Sequence, residues 1–181
     1  ARAVGLILLV FSIYVFIRYF CLLGGLELGD ETLGFQFARE YPWLDSIGIS
    51  FKLAVDGISV PMILLTGVAI FTGTLVSWRI APRNKDFFIL LFLLVAGVYG
   101  TFASMDLFFL FFFYELAVLP MYLLIGVWGS SSDFKTFLRT KENGAMKLVL
   151  YLVAGSVLVW VAILAIYVAG GLGTFAIQAL G

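Results

Sequence analysis

A lone carboxylate in a long apolar run constrains this chain more than any other feature. Asp106 to Gly129 reads DLFFLFFFYELAVLPMYLLIGVWG, and Glu115 is the one charged side chain inside it. Drawn as a helix rising about 1.5 Å per residue, the run sets Glu115 about 14 Å from Asp106 and about 21 Å from Gly129. In a hydrocarbon core ~30 Å thick, that depth is close to the midplane. Insertion scales put an acid at a helix centre at about 2.5–3.5 kcal/mol, so such residues face a protein interior or a water path and pair with something. Glu115 is the leading candidate for a functional residue.

The rest of the composition agrees with a membrane setting. The chain is 63% hydrophobic and 12% charged, with a mean hydropathy of +1.13, which leaves too little polar surface to face water all round. An integral membrane protein in contact with the lipid bilayer is expected. Eleven basic and eleven acidic residues cancel, so no basic field exists for nucleic acid, which is excluded as a partner. Histidine is absent and Cys21 stands alone, which removes b-type haem ligation, zinc sites, iron–sulfur clusters and a disulfide within the chain. Tyr19 and Phe20 are too large to precede a lipoprotein cleavage site, so Cys21 is expected to be a buried apolar cysteine. The chain opens at Ala1 without an initiator methionine and stops at the uncharged Gly181; a longer parent chain is expected.

Hydropathy divides the residues 1–181 into a single membrane domain of all-α class, a polytopic transmembrane helical bundle. Five spans fall at about 3–23, 53–78, 87–104, 107–128 and 143–169, with one sizeable loop over 24–52. That loop carries Glu27, Asp30, Glu31, Glu40 and Asp45 against Arg39 and Lys52. Within it, Ile47, Ile49, Phe51 and Leu53 alternate with smaller or polar residues, the pattern of a short strand or hairpin. Lys and Arg concentrate in the 79–86 and 130–142 loops, three in each. The positive-inside rule then sets those loops in the cytoplasm, the acidic loop outside, the N-terminus inside and the C-terminus outside. Arg18, on the outer side, is the exception, with a stem long enough to snorkel to the interface.

Several residues besides Glu115 invite a chemical reading. Pro120 lies five residues beyond Glu115 and removes a backbone hydrogen bond at Leu116, which kinks a helix and leaves a polar group to be satisfied by water or another helix. The competing structural reading makes Glu115 a protonated link between helices and Pro120 a packing kink. Lys147 sits roughly 6–9 Å inside the fifth span by helical rise, where it suits either a proton relay or simple snorkelling. Asp56, at the head of the second span, suits helix capping better than relay. Gly97, Gly100, Thr101 and Ser104 would let a neighbouring backbone approach the third span. The phenylalanine runs need no cofactor, and Trp43, Trp78 and Trp128 suit membrane interfaces or the outer loop.

Three stretches together carry a family resemblance: LAVDGISVPMILLTG, the Glu115 run with Leu119-Pro120-Met121-Tyr122 followed by Gly126 and Trp128, and GAMKLVLYLVAGSVL. They resemble the antiporter-like membrane subunit called chain M, or subunit 4, of respiratory complex I, the NADH:quinone oxidoreductase. The resemblance covers almost the whole chain. It implies a subunit of a translocase in a bacterial plasma membrane or an equivalent energy-transducing membrane, where proton movement through buried Glu and Lys residues is coupled to electron transfer elsewhere. Glu115 matches the acid of the family's proton channel and Lys147 the lysine one helix later. No redox chemistry is expected on this chain: NADH, FMN, iron–sulfur clusters and quinone belong to partner subunits, and the partners are the other membrane-arm and peripheral-arm subunits. The family's roughly fourteen spans imply that only the second to sixth are present, with the lysine that pairs the acid on a later helix. A cation/proton antiporter or membrane-bound hydrogenase subunit of the same fold, and a scaffold whose Glu115 never titrates, remain alternatives.

Overall fold

The computed structural model describes residues 1–23, 35–44, 48–77, 83–130, 132–134, 137–139, 141–171 and 174–177. Among the described residues, five helices are long and apolar enough to cross a membrane: α1 (Arg2–Leu23), α2 (Ser59–Val76), α3 (Asn84–Ala103), α4 (Leu107–Trp128) and α5 (Lys141–Gly170). Two antiparallel hairpins join them, β1 (Gln36–Leu44) with β2 (Ile49–Val55) and β3 (Ser132–Phe134) with β4 (Phe137–Arg139). The chain is thus mostly helical rather than wholly so. Glu27, Asp30, Glu31, Asp45, Ile47, Trp78 and Arg79 lie outside the described residues, as does Lys135.

Each helix packs on its neighbour in sequence, α1 on α2, α2 on α3, α3 on α4 and α4 on α5. The α1–α2 seam runs on small residues seven apart. A β-carbon on Gly5 would come within 2.7 Å of the Thr74 hydroxyl, and one on Gly67 would collide with Ser12. One further heptad along, Tyr19 and Val60 close the seam in a buried cluster with Val15, Val55 and Ile63. Small residues at heptad spacing let two membrane helices approach closely, which gains dispersion where no hydrophobic effect operates between them. Ser12 also contacts the Tyr99 hydroxyl of α3 at 2.8 Å, linking three helices.

The second helix starts at Ser59, later than the expected 53, because Ile49–Val55 is extended and pairs with β1. Asp56 marks the change. Its Oδ1 accepts from Ser59 N at 2.6 Å and Ser59 Oγ accepts from Asp56 N at 2.8 Å, a reciprocal cap of the α2 entry. In the hairpin, Glu40 and Lys52 face each other across the ladder and pair at 2.9 Å. Pro42 sits on β1, the edge strand, where the missing N–H costs no ladder bond on the open side.

Strand β2 continues as a small sheet at one end of the bundle. Met105 N donates to Lys52 O, Leu107 N to Phe175 O and Ile177 N to Met105 O, each at 3.0 Å. The α3–α4 link therefore lies between β2 and residues 175–177, and the end of every helix from α1 to α5 meets there. Phe51 packs on Phe109 with ring centroids 4.8 Å apart, and Phe175 stacks on Tyr167 at 4.3 Å. Cys21 is exposed, contrary to the buried position expected, because α1 packs on one side only and Cys21 falls off the stripe of Gly5, Ser12, Val15 and Tyr19 that is buried.

Candidate functional site

Helix α4 is held between two neighbours by opposite faces. Toward α3 it presents Phe113 and Ala117: a β-carbon on Gly97 would lie 2.9 Å from both Ala117 N and Phe113 O, and Gly100 lies under the Phe113 ring. The two glycines singled out in the third span thus admit the backbone of α4. Toward α5 it presents Phe108, Phe111, Glu115, Tyr122 and Gly126, which share one face at helical spacing.

Contacts at both ends fix the register of that second interface. Phe111 stacks on Trp160 with centroids 4.9 Å apart and planes at 28°, and a β-carbon on Gly126 would lie 3.8 Å from the Ala145 β-carbon. The helices are antiparallel, so four residues on from Phe111 correspond to four back from Trp160. Glu115 is level with Ser156. Ser156 is 5% exposed on the α5 stripe that also buries Ala145 and Ile163, and its Oγ donates to Val153 O at 3.0 Å.

Glu115 is half-buried, and its Oε1 is shielded from solvent with no hydrogen-bond partner among the described residues. Pro120, itself fully buried, has no N–H to give the Leu116 carbonyl, although α4 continues as a helix through it. Glu115 Oε1 thus lacks a partner among the described residues, and the carbonyl of the next residue has lost its usual i+4 donor. A buried polar atom left without a partner costs roughly 1–3 kcal/mol.

Lys147 is not brought to that site. It is exposed and lies about 200° around α5 from Ala145, on the face turned away from α4. Lys141, at the start of α5, donates from Nζ to Val127 O at 2.7 Å, placing a cation at the C-terminus of α4, where the helix dipole favours one.

A second buried acid was not singled out from the sequence. Asp106 is fully buried and caps α4: Oδ1 accepts from Phe108 N at 2.9 Å and Phe109 N at 3.3 Å, while Oδ2 accepts from Ser50 N at 3.4 Å. Burial pushes its carboxyl above the usual carboxylate range, opposed by the N–H groups of Ser50, Phe109 and Phe108 and by the charge of Lys52. An aspartate immediately before a long apolar run is an N-cap signal, so its capping role was readable. Its burial was not, since Ser50 and Ala176 reach it from distant parts of the chain.

Residues 104–181 match the family described as NADH:quinone oxidoreductase/Mrp antiporter, transmembrane. The chain is 33% identical over 151 residues to NAD(P)H-quinone oxidoreductase chain 4-2 of Synechocystis sp., covering 83% of this chain and 26% of that relative. It is 36% identical over 140 residues to NAD(P)H-quinone oxidoreductase chain 4 of Gloeobacter violaceus, covering 77% and 25%. It spans about a quarter of the length of these curated relatives. Among solved structures, a chain of respiratory complex I from Thermus thermophilus with bound NADH superposes over 99% of this chain and 34% of its own, with a TM-score of 0.77 and 23% identity. The membrane-bound sulfane sulfur reductase, an archaeal respiratory membrane complex, has a chain that superposes with a TM-score of 0.72 and 20% identity, over 99% and 33%. These two likenesses establish the fold.

Proposed function

From the family to which residues 104–181 belong, that of NADH:quinone oxidoreductase and Mrp antiporter transmembrane domains, we propose that this integral membrane chain is part of an antiporter-like, proton-translocating subunit of an NADH:quinone oxidoreductase of the complex I type. Its partners are the other membrane-arm and peripheral-arm subunits. The carrying observation is the unpartnered, shielded Oε1 of Glu115, on a helix that Pro120 deprives of one backbone hydrogen bond at the next residue. A proton on the carboxyl is released when a cation approaches and regained when the cation withdraws, so a change of conformation that moves an ammonium group becomes a change in proton occupancy. The lysine that approaches Glu115 belongs to a helix outside the described residues, because Lys147 faces the other way. Lys147 exchanges charge with whatever packs on the outer face of α5.

The redox groups sit on partner subunits. With no histidine and a single cysteine, this chain lacks the ligand set for haem or an iron–sulfur cluster, and its residues move protons only. The five helices are the spans of one membrane domain, with the N-terminus in the cytoplasm and the C-terminus, with the β1–β2 hairpin, outside. The membrane is a bacterial plasma membrane or an equivalent energy-transducing one. The test is proton pumping by the intact complex in reconstituted vesicles, wild type against Glu115→Gln, with assembly and quinone reductase activity compared in both. Pumping is expected to fail in the variant while assembly holds. Full pumping in Glu115→Gln removes Glu115 from the relay.

The family description also names Mrp antiporters, which favours ion exchange without redox partners as the second reading. Flavin and iron–sulfur subunits purifying with this chain support the first; their absence, with sodium-dependent proton exchange, supports the second.

A further inference from the structure

We propose that Ser156 is a positioning residue for Glu115, a hydroxyl that exchanges its hydrogen bond with the carboxyl according to whether the carboxyl carries a proton. The inference rests on the reading of Glu115 as the relay acid. It begins from the register already derived: Glu115 and Ser156 are level on the facing sides of α4 and α5, between the Phe111–Trp160 stack and the Gly126–Ala145 contact. Within a turn of that level, the α4-facing stripe of α5 offers Leu152, Ser156 and Trp160, and Ser156 alone carries a short polar group.

Ser156 is buried, where a hydroxyl has to keep a partner. Its proton is given to Val153 O, three residues back on its own helix, and this leaves the lone pairs of Oγ free to accept. A protonated Glu115 can donate to Oγ while Ser156 keeps its bond to Val153. An ionised Glu115 has only acceptors, and rotation of the Ser156 hydroxyl about its Cβ–Oγ bond turns the O–H from Val153 O to the carboxylate. A serine with a backbone carbonyl as its alternative partner can meet both states without leaving a donor unpaired, which valine, alanine or glycine at that place could not. Among the described residues the charged groups of neighbouring helices do not compete for this position: on α5, Lys141, Glu142 and Lys147 lie off the level of Ser156, and α3 meets α4 through Gly97 and Gly100.

The experiment is infrared difference spectroscopy of the intact complex in lipid, with the bands of Glu115 assigned as those lost in Glu115→Gln. In Ser156→Ala, the Glu115 C=O band is expected to move to higher wavenumber, or the carboxylate bands to shift if Glu115 is ionised, and Ser156→Thr is expected to restore the wild-type position because it keeps a hydroxyl. If Ser156→Ala does not assemble, Ser156→Cys, of similar size with a weaker donor, is expected to move the bands in the same direction by less. Glu115 bands unmoved in either variant overturn the proposal. Failure of the relay reading is distinguishable, since it appears as full pumping in Glu115→Gln, whereas the bands report the contact whether or not Glu115 pumps.

Discussion

Substituting Gly97 by alanine tests whether the α3–α4 seam, which holds the back of the Glu115 helix, is a backbone-to-backbone contact. The new methyl would sit 2.9 Å from Ala117 N, 2.9 Å from Phe113 O and 3.0 Å from the Ala117 β-carbon, where ordinary contact begins near 3.4 Å. Two of these three atoms are main chain in the middle of a helix, so no side-chain rotation relieves them, and α3 has to retreat by about 0.5 Å. A gap of that size forfeits roughly a quarter to a half of the dispersion well for each contact along the seam, and overpacking of this sort costs about 1–3 kcal/mol. Gly73→Ala in α2 is the matched control, because nothing lies within 4 Å of its β-carbon position. Both changes carry the same helix-propensity gain of about 0.5–1 kcal/mol, so it cancels in the comparison. Reversible SDS unfolding of the solubilised protein, followed by helical circular dichroism, is expected to put Gly97→Ala about 1–3 kcal/mol below Gly73→Ala. Equal stabilities would refute the close approach.

Asp106 gives a pH dependence of definite sign. Its folded-state carboxyl is raised by burial, so the folded state holds the proton more tightly than the unfolded one, and the stability this contributes is present below the ordinary carboxylate value and lost as pH rises through the raised one. The protection factors of the α4 amides, with intrinsic exchange divided out, are expected to fall across that window in the wild type and to stay level in Asp106→Asn; the same fall in both would refute it. For Lys147, Lys147→Met is expected to leave the Glu115 infrared bands where they are, because the two side chains lie on opposite sides of α5. Movement of those bands would place Lys147 at the Glu115 site after all.

Long apolar periods made the helices legible, because membrane thickness alone fixes how many apolar residues a span needs. The start of α2 was not, since the apolar character of Ile49–Val55 serves a half-covered strand as well as a helix, and only pairing with β1 decides between them. The depth of Glu115 and the loss of a hydrogen bond at Pro120 also follow from the sequence by counting residues. What faces Glu115 does not. Ser156 becomes its neighbour through the sum of two contacts, Phe111 with Trp160 and Gly126 with Ala145, each between residues whose separation along the chain carries no periodic signal.

The same geometry sets apart the two candidate site residues, Glu115 and Lys147. Helix α5 turns about 100° per residue, so nine residues from Lys147 to Ser156 bring the chain half a turn around as well as about 14 Å along. A lysine placed at the buried stripe would sit against Ala145 or Leu148, at the end of α4 already neutralised by Lys141 on Val127 O. Set on the outer face, Lys147 is left to a neighbour on the far side, and the lysine of α5 that does reach α4 is Lys141, at the far end from Phe111. Among the described residues none reaches Glu115 Oε1 with a hydrogen bond, so a cation that tunes this acid has to come from a group that moves in, which is what the proposed proton relay requires.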